Sequence, residues 1–477
     1  MTNILAKNTL SLTLASVGQK LIAFVYFLFL ARIMMPENTG VYFLATSFVM
    51  IFSVVADFGL TPVVIREIAK SPENTVTYIK KALGIKIPFI VLALISVVVV
   101  PIMIGYDANL RFLILLTSFI LIFDSLHLFY YGVLRGYQML KFEALGMFSA
   151  QIVTGVVGGL ILVYNPSVAL LILALTLGST ANLIISIKNV SNVLGNSVFI
   201  PMWDVGFVKK IFKVALPFAL AAVFVKVYSY VDSIFISKLM GTTSLGIYSV
   251  AYKFTYAFQF LPLAFIAALY PGLSAIVGKD SVQLRNMFDK AMWYMMVIVT
   301  PIVLGIWLIA PNAVLLAGEE YVQAAPILQL LILVLIPIFL DFPIGSLLNA
   351  ANRQTTKTII MGITMVLNVV LNALLIPVIG LNGAVYAALF SFSFMFVAGL
   401  YFIPQIIHGY SFTKLFFILL KVSACGLIMF SFGIYIKELV GWIALIPISA
   451  VVYGVSLMVT GVITKHDINK VKSLIRS

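Results

Sequence analysis

The chain has few of the groups that carry enzyme or metal chemistry. Its 477 residues include one cysteine and three histidines, and only 10% of the residues are charged. A single cysteine excludes an internal disulfide, and because Cys425 lies in an apolar run we expect it to pack in a core. The sequence contains no phosphate-binding glycine loop, no Gly-x-Ser-x-Gly motif and no cluster of metal ligands. It therefore predicts neither an enzyme nor an ATP-driven pump, and we expect no cofactor and no metal.

Acidic residues are also scarce: there are 16 Asp and Glu against 30 Lys and Arg, which gives a net charge of +14. Apolar residues make up 62% of the chain, and the mean hydropathy is +1.15. A soluble domain does not need so much apolar surface, whereas about 20 apolar residues cross a hydrocarbon layer of ~30 Å. Residues 144–187 and 358–407 contain no Asp, Glu, Lys or Arg, and each is long enough for two spans. The composition therefore predicts an all-α integral membrane protein.

The apolar segments indicate about 14 transmembrane helices. Their ranges are 9–31, 41–61, 87–104, 112–134, 142–163, 167–187, 214–237, 244–268, 291–310, 325–348, 358–378, 382–404, 415–436 and 440–463. Most of the basic residues fall in alternate connections, on the same side as the N-terminus. Because basic loops stay in the cytoplasm, we expect a multi-pass protein of the cell (cytoplasmic) membrane with both termini cytoplasmic. The positive charge then follows from topology, and no nucleic-acid partner is expected.

One stretch of the chain occurs twice, at an offset of 206 residues. Arg32-Ile33-Met34 and Gly40-Val41-Tyr42 return as Lys238-Leu239-Met240 and Gly246-Ile247-Tyr248. The same offset pairs Lys20 with Lys226, and each of these lysines lies in the middle of an apolar run. A later echo has an offset of 216 and joins Gln138-x-x-Lys141 to Gln354-x-x-Lys357. Such repeats are typical of a duplicated helical bundle.

The duplication predicts two pseudo-symmetric six-helix lobes followed by an additional helix pair. The predicted domains are an N-terminal lobe over 1–188, a cytoplasmic amphipathic linker over 189–213, a C-terminal lobe over 214–404, the helix pair over 405–464 and a cytoplasmic tail over 465–477. The linker combines Trp203 and Phe207 with Lys209, Lys210 and Lys213. This composition is typical of a segment at the membrane surface.

Three lysines lie deep within predicted spans. Lys20 is about 11 residues into the first span, or ~16 Å at a rise of 1.5 Å per residue. Lys226 begins a narrow polar face that includes Tyr230, and Lys253 lies in the next span. Like charges in a low dielectric are costly unless water or an anion accompanies them. We therefore expect the three lysines to bind an anionic, phosphate-bearing substrate in a hydrated cleft, with Tyr230 stacking on a sugar face; snorkelling of Lys20 to an interface is the alternative.

Four carboxylates also lie in predicted spans: Asp57, Asp124, Asp232 and Asp341. Intramembrane carboxylates usually have a partner, so we expect these to form ion pairs or to couple ions. For Asp57, pairing with Arg66, helix capping and ligand contact all stay open. For Asp124, the alternatives are an ion pair with a lysine and a proton or cation site; His127 one turn away does not make a metal site, because a third ligand is lacking. Asp232 lies off the polar face and is placed to bridge to another helix.

Several loose motifs follow one another in an order found in one transporter superfamily. They are the stretch from Arg32 to Tyr42, Asp57-Phe58-Gly59-Leu60 with Arg66, Gly318-Glu319-Glu320-Tyr321, Leu347 to Lys357, and Gly380-Leu381-Asn382-Gly383-Ala384. Over nearly its whole length the chain resembles the Wzx-type polysaccharide flippases of the multidrug/oligosaccharidyl-lipid/polysaccharide exporter superfamily. The resemblance implies two six-helix lobes in a V, alternating access, and transfer of polyprenyl-linked sugars from the cytoplasmic to the outer leaflet. It also implies that the final helix pair handles the lipid tail.

The favoured hypothesis is an alternating-access flippase of polyprenyl-(di)phosphate-linked oligosaccharide for cell-surface polysaccharide or glycan assembly. Its expected partners are the lipid-linked sugar and membrane lipid, and glycan polymerase or glycosyltransferase machinery is a further candidate. The alternative is a cation-coupled drug or metabolite antiporter of the same superfamily, which the acidic residues favour and the lysines oppose. A membrane glycosyltransferase or polymerase is disfavoured, because such enzymes need a sizeable outer catalytic loop and the outer connections here are short.

Overall fold

A computed structural model describes the backbone of residues 2–463 and the side chains of residues 16–71, 73–266 and 269–463. The predicted tail, 465–477, lies outside the described residues. Over residues 2–463 the chain is helical and contains no strand, so the prediction of an all-α fold is confirmed.

The chain forms sixteen α-helices in the described range. The first nine are α1 (Thr2–Asp57), α2 (Leu60–Lys70), α3 (Thr75–Ile104), α4 (Ala108–Leu116), α5 (Ser118–Gly136), α6 (Leu140–Tyr164), α7 (Val168–Leu194), α8 (Val205–Met240) and α9 (Thr242–Tyr256). The others are α10 (Phe260–Ile276), α11 (Ser281–Ala313), α12 (Ala324–Leu331), α13 (Leu335–Ala350), α14 (Gln354–Ile379), α15 (Leu381–Tyr401) and α16 (Phe412–Val459).

Eleven helical segments of the described chain are long and apolar enough to cross a membrane, and one bent pair, Thr242–Ile266 with Leu269–Ile276, would be a twelfth. Two of the eleven are interrupted by a residue with non-helical backbone angles, Met35 in α1 and Gly441 in α16. Each of these two therefore comprises two of the predicted spans. Counted in this way, the structure agrees with the prediction of about 14 transmembrane helices.

The backbone angles at Met35 and at Gly241 show that the duplication extends to backbone geometry. Met35 has φ 62° and ψ 166°, and Gly241, 206 residues later, has φ 86° and ψ 170°. This region of backbone conformation is essentially restricted to glycine, so Met35 occupies it at a cost. A Cβ on Gly40 would overlap the carbonyl oxygen of Thr242, and a Cβ on Gly246 would overlap that of Pro36. Because Pro36 and Thr242 are themselves 206 residues apart, the two copies of the repeat make reciprocal backbone contacts with each other.

The second echo is also present in the backbone, but in a different register. Gln138 and Asn352 both have left-handed φ angles, 61° and 58°, where α5 and α13 end. The Met139 N–H donates to the Leu134 carbonyl at 2.9 Å, and the Arg353 N–H donates to the Leu348 carbonyl at 2.8 Å, as in a Schellman helix end. Equivalent residues are thus 214 apart. The offset of 216 taken from the Gln-x-x-Lys pattern is wrong by two residues.

The described chain forms two compact units. Unit 1 contains the described residues up to Val250 together with Met361–Ala384, and unit 2 contains Ala251–Ile360 and the described residues from Val385 onward. In unit 1 the N-terminal part of α8 packs on α2 and α3, with Leu60 and Ile211 in one buried cluster. The predicted lobe boundaries stay a prediction.

The region 189–213, predicted as a linker, contains the end of α7, a 3₁₀ turn (Asn196–Phe199) and the start of α8. It is fastened to α3, because the Met202 N–H donates to the Lys80 carbonyl at 2.9 Å and Lys81 pairs with Asp204 at 2.6 Å. The hydrogen bond from Lys81, followed by that from the Phe207 N–H, holds the pKa of Asp204 below its ordinary value. Trp203 is exposed beside these anchors.

In unit 2 the last long helix, α16, lies against α11. Gly426 allows close approach of Thr300, and Gly433 that of Leu308. The Tyr453 hydroxyl donates to the Val297 carbonyl at 3.1 Å. Cys425 is fully buried in this region, as the sequence predicted.

Candidate functional site

Lys226 is the predicted site residue whose surroundings the structure defines most fully. It is half-buried near the middle of α8. Its Nζ lies 3.7 Å from the sulfur of Met50 on α1 and 5.7 Å from the ring centroid of Tyr230, one turn along its own helix. It also interacts electrostatically with Asp124 on α5. A cation at this depth, facing a thioether and an aromatic ring, is held by weak contacts that a stronger anionic ligand can displace.

Lys20 and Lys253 occupy different surroundings. Lys20 is exposed on α1 and belongs to unit 1 with Lys226. Lys253 is half-buried on α9 and belongs to unit 2, beside the ring pair of Tyr252 and Tyr256, whose centroids are 4.3 Å apart. The structure thus places two of the three predicted lysines in one compact unit. Their assembly around a common substrate stays a prediction.

Asp124 belongs to a polar network that links α5 and α7. Its Oδ1 lies 3.1 Å from His127 Nε2, which lies 3.3 Å from the amide nitrogen of Asn182. The Tyr131 hydroxyl donates to Asn182 Oδ1 at 2.6 Å. Within the described residues, His127 Nδ1 is buried without a hydrogen-bond partner. The network therefore combines a carboxylate that interacts electrostatically with Lys226 and an imidazole whose Nδ1 has no hydrogen-bond partner among the described residues.

The contacts at His127 Nε2 cannot all be satisfied by one arrangement of protons. An Nε2–H that donates to Asp124 leaves no lone pair for the amide N–H of Asn182. If the Asn182 amide is turned over, its oxygen faces the imidazole instead, and Tyr131 can donate to the Asn182 backbone carbonyl, 3.3 Å away. The turned-over Asn182 amide therefore satisfies the contacts of an Nε2–H that donates to Asp124.

Asp57 has a structural partner that the sequence did not indicate. It pairs at 3.1 Å with Lys86 of α3, whose side chain is 0% exposed. Lys86 also donates to the Ala56 carbonyl at 3.4 Å and lies 5.4 Å from the ring centroid of Phe129. Thr61 donates its hydroxyl to the Asp57 carboxylate. Pairing with Arg66 is therefore wrong, since that side chain contacts Glu67 instead.

Asp232 is buried and fully engaged within unit 1. It accepts hydrogen bonds from the Tyr248 hydroxyl at 2.5 Å and from the Ser233 N–H at 2.8 Å. Ser233 in turn receives a hydrogen bond at 3.3 Å from the hydroxyl of Ser47 on α1. As predicted, Asp232 bridges to another helix. Its contacts fix α8 against α9 and leave little capacity for a ligand.

Asp341 is likewise paired, in unit 2. Its two oxygens lie 2.8 and 2.6 Å from Nζ of Lys357, at the start of α14. In unit 1 a buried Glu143 at the start of α6 pairs with Arg135 at the end of α5. We did not predict the second pair, although the eight-residue spacing across a helix connection indicates it. Both pairs join two consecutive helices and have structural roles.

Among the four predicted carboxylates, Asp124 is therefore the one that interacts electrostatically with a lysine of the predicted site. Met50 and Tyr230 contact Lys226, Asp124 interacts with it electrostatically, and His127 contacts Asp124. In the described part of the chain, no group of three or more His, Cys, Asp or Glu side chains is arranged to hold a metal ion. The arrangement can bind an anion at a single cation whose charge is balanced by one carboxylate.

Comparison with known proteins places the chain among membrane transporters. The family model described as "Polysaccharide biosynthesis protein" matches residues 5–277, and the MatE model matches residues 217–374. A protein of Haloferax volcanii described as "Probable low-salt glycan biosynthesis flippase Agl15" is 24% identical over 392 residues, which are 82% of this chain and 81% of that protein.

Solved structures give the same placement. The lipid II flippase MurJ in an inward closed conformation has a TM-score of 0.75 at 16% identity, over 93% of this chain and 97% of that chain. An inward-facing multidrug resistance MATE transporter has a TM-score of 0.66 at 16% identity, over 84% and 100% of the two chains. At this identity the structures show the fold alone.

The resemblance predicted from the order of the motifs is confirmed by these matches. The duplicated membrane helices and the region around Lys226 both lie within the longer matched segment. Because that segment covers more than half of the 477 residues, the chain belongs to the polysaccharide biosynthesis protein family, within the multidrug/oligosaccharidyl-lipid/polysaccharide exporter superfamily.

Proposed function

We propose that this protein is a flippase that moves a polyprenyl-(di)phosphate-linked oligosaccharide across the membrane by alternating access. The observation that carries the proposal is the half-buried Lys226, held by Met50 and Tyr230 and balanced by one carboxylate. A lysine in the middle of a membrane helix is costly unless it has a function or a strong partner. A phosphate oxygen would supply that partner through a charge-assisted hydrogen bond.

The roles of the side chains follow from their contacts. Lys226 would hold the phosphate, with Lys20 of the same unit and Lys253 as further cationic contacts. Tyr230 would stack on the first sugar ring through the face that Lys226 covers in this structure. Asp124 would compete with the phosphate for Lys226, so a bound substrate must displace that interaction. Release of the substrate would restore it.

The direction of transport and the setting are part of the same proposal. With both termini in the cytoplasm, the sugar would enter from the cytoplasmic leaflet of the cell membrane and leave at the outer face, where a glycan polymerase or glycosyltransferase would use it. Transport of this kind makes and breaks no covalent bond in the sugar. The names of the similar flippases support this reading.

A cell-surface glycan assay tests the proposal. A strain that lacks its flippase is complemented with the wild-type chain, with Lys226→Gln and with Lys20→Gln, and expression in the membrane is measured in parallel. We expect Lys226→Gln to abolish surface glycan and Lys20→Gln to reduce it. The matched control is Lys209→Gln, a basic residue exposed near the start of the same helix α8, which should retain activity. Normal surface glycan with Lys226→Gln at normal expression would contradict the proposal.

A cation-coupled antiporter of the same superfamily is the second candidate. Two observations favour it: the MatE match over 217–374, and the buried His127 Nδ1 beside Asp124, which has no hydrogen-bond partner among the described residues. Expression of the chain in a cell sensitive to cationic dyes separates the two functions. Resistance that is lost in Asp124→Asn, with no effect of the chain on surface glycan, would select the antiporter.

A further inference from the structure

Unit 1 contains a cavity that the proposed phosphate site does not use. It has a volume of about 450 Å³ and lies where four helix connections meet. Its polar lining consists of Glu37, Asn38, Asp107, Asn109, Ser167 and Thr242. This volume is within the usual range for small-molecule sites, about 300–1,000 Å³.

The walls of the cavity are built on a rigid part of the fold. Thr242 is the residue whose carbonyl abuts Gly40, so the cavity borders the reciprocal contact between the two copies of the repeat. Asp107 is fixed as the N-cap of α4, where one oxygen accepts from the Leu110 N–H at 2.7 Å. Sites on elements that packing holds in place lose less entropy when a ligand binds. The backbone at Thr242 and the side chain of Asp107 are therefore held in place, whereas Glu37, Asn38 and Asn109 present exposed side chains at the open side of the cavity.

The side chains that project from these walls are available to a ligand. Within the described residues, the side chains of Glu37, Asn38 and Asn109 form no hydrogen bond or ion pair with any other residue. Carboxylates accept hydrogen bonds from hydroxyl groups, and carboxamides both donate and accept. Phe112 contributes an exposed aromatic ring to the same lining. Alternating donors and acceptors beside an apolar ring match a sugar, which carries hydroxyls around its edge and C–H groups on its faces.

The charge of the cavity lining indicates which class of sugar the cavity can bind. Two carboxylates, Glu37 and Asp107, are among its lining residues, and no lysine or arginine is. An anionic ligand such as a phosphate or a uronic acid would meet like charge. The cavity is thus complementary in charge to the neutral or amino sugars of a glycan, and Lys226 to its phosphate.

We propose that the cavity bounded by Glu37, Asn38, Asp107 and Asn109 is a second subsite, which binds a neutral or amino sugar of the transported glycan. The subsite rests on the proposed flippase function and deepens it. The four connections that form it lie on one side of the predicted topology, the outer side. The sugar would occupy this subsite late in transport, after Lys226 has bound the phosphate and the substrate has moved from the cytoplasmic side towards the outer side.

Binding to the purified full-length chain in detergent tests the subsite. The probes are an N-acetylhexosamine disaccharide and a disaccharide that contains a uronic acid, each measured by saturation-transfer NMR and by competition. We expect the neutral disaccharide to bind and the acidic one to bind at least about tenfold more weakly, because of the like charges. The Asn38→Ala/Asn109→Ala variant should weaken binding of the neutral disaccharide at least about fivefold. Glu37→Gln should allow the acidic disaccharide to bind.

The control variant is Glu320→Gln, which neutralises an exposed carboxylate of unit 2 and should bind as wild type does. Equal binding of the neutral disaccharide by wild type and Asn38→Ala/Asn109→Ala would overturn the subsite. Calorimetric binding of calcium that Glu37→Gln abolishes, without saturation transfer to either sugar, would also overturn it and assign the cavity to a cation. If the subsite fails while Lys226→Gln still abolishes surface glycan, the flippase function stands. If Lys226→Gln keeps normal glycan, the function itself fails whatever the sugar binding shows.

Discussion

Removing the charge of Asp57 should destabilise this protein more than removing the charge of its partner Lys86. The two residues form an ion pair at 3.1 Å, but Lys86 is 0% exposed whereas the Asp57 side chain is 26% exposed. In Asp57→Asn the buried ammonium keeps the Ala56 carbonyl at 3.4 Å and the face of Phe129, and neither neutralises it. An uncompensated buried charge costs about 3–5 kcal/mol.

Removing the charge of Lys86 instead leaves the Asp57 carboxylate without its partner, and this group is only partly buried. In Lys86→Met the carboxylate of Asp57 still accepts from Thr61 and still reaches water, so the loss should be about 1–3 kcal/mol. The double variant Asp57→Asn/Lys86→Met contains no buried charge and should resemble Lys86→Met. The cycle therefore predicts that the two losses are not additive, with a coupling of about 3–5 kcal/mol, which equals the loss in Asp57→Asn.

Thermal inactivation in detergent measures these differences. Membrane proteins of this size unfold irreversibly, so the half-life at a fixed temperature, followed by tryptophan fluorescence, is the appropriate quantity. A matched control is Lys80→Met on the same helix, which should have little effect, because within the described residues the Lys80 side chain forms no ion pair or hydrogen bond. Additive losses, or a Lys86→Met variant that inactivates faster than Asp57→Asn, would refute the reasoning.

Three further predictions use the same inactivation assay. Met35→Gly should stabilise the protein by about 1 kcal/mol, because it relieves a conformation that costs of order 1–3 kcal/mol for residues other than glycine. Gly241→Ala at the repeat-related position should destabilise it. A change of stability in the same direction for both variants would contradict the shared geometry. Gly246→Ala should destabilise by more than about 3 kcal/mol, since its Cβ would overlap an opposing backbone carbonyl, and wild-type stability would disprove that contact. Asp204→Asn should lower stability at neutral pH, where the depressed pKa keeps the wild-type carboxylate charged, and the difference from wild type should shrink as the pH falls through that pKa; a difference that grows on acidification would reverse the sign.

Composition and spacing were sufficient for the fold class. Long apolar runs predicted the membrane helices, and the 206-residue offset predicted a duplication that reappears in the backbone of Met35 and Gly241. These features depend on local sequence, because backbone groups in lipid must be satisfied within each helix. The later echo shows the limit of residue identity. Asn352, not Gln354, takes the left-handed conformation of Gln138, since conformation and not side-chain type defines the equivalent position.

The candidate site was less accessible from sequence, because the partner of a charge is set by tertiary contacts. Lys86 lies just outside the predicted span 87–104, but α3 begins at Thr75 and includes it opposite Asp57. The deep lysines could be recognised from their depth in the spans. The difference between Asp124, which interacts electrostatically with Lys226, and Asp232, which is hydrogen-bonded to Tyr248 and Ser233, required the packed structure.

The most direct test of the account follows translocation in proteoliposomes. A fluorescent short-chain polyprenyl-diphosphate sugar is incorporated in both leaflets, and the fraction that an impermeant quencher can reach is measured over time. The account predicts rapid loss of the protected fraction with wild type and with Lys209→Gln, and at least about a tenfold slower loss with Lys226→Gln. Equal rates for wild type and Lys226→Gln would contradict the claim that this half-buried cation holds the phosphate.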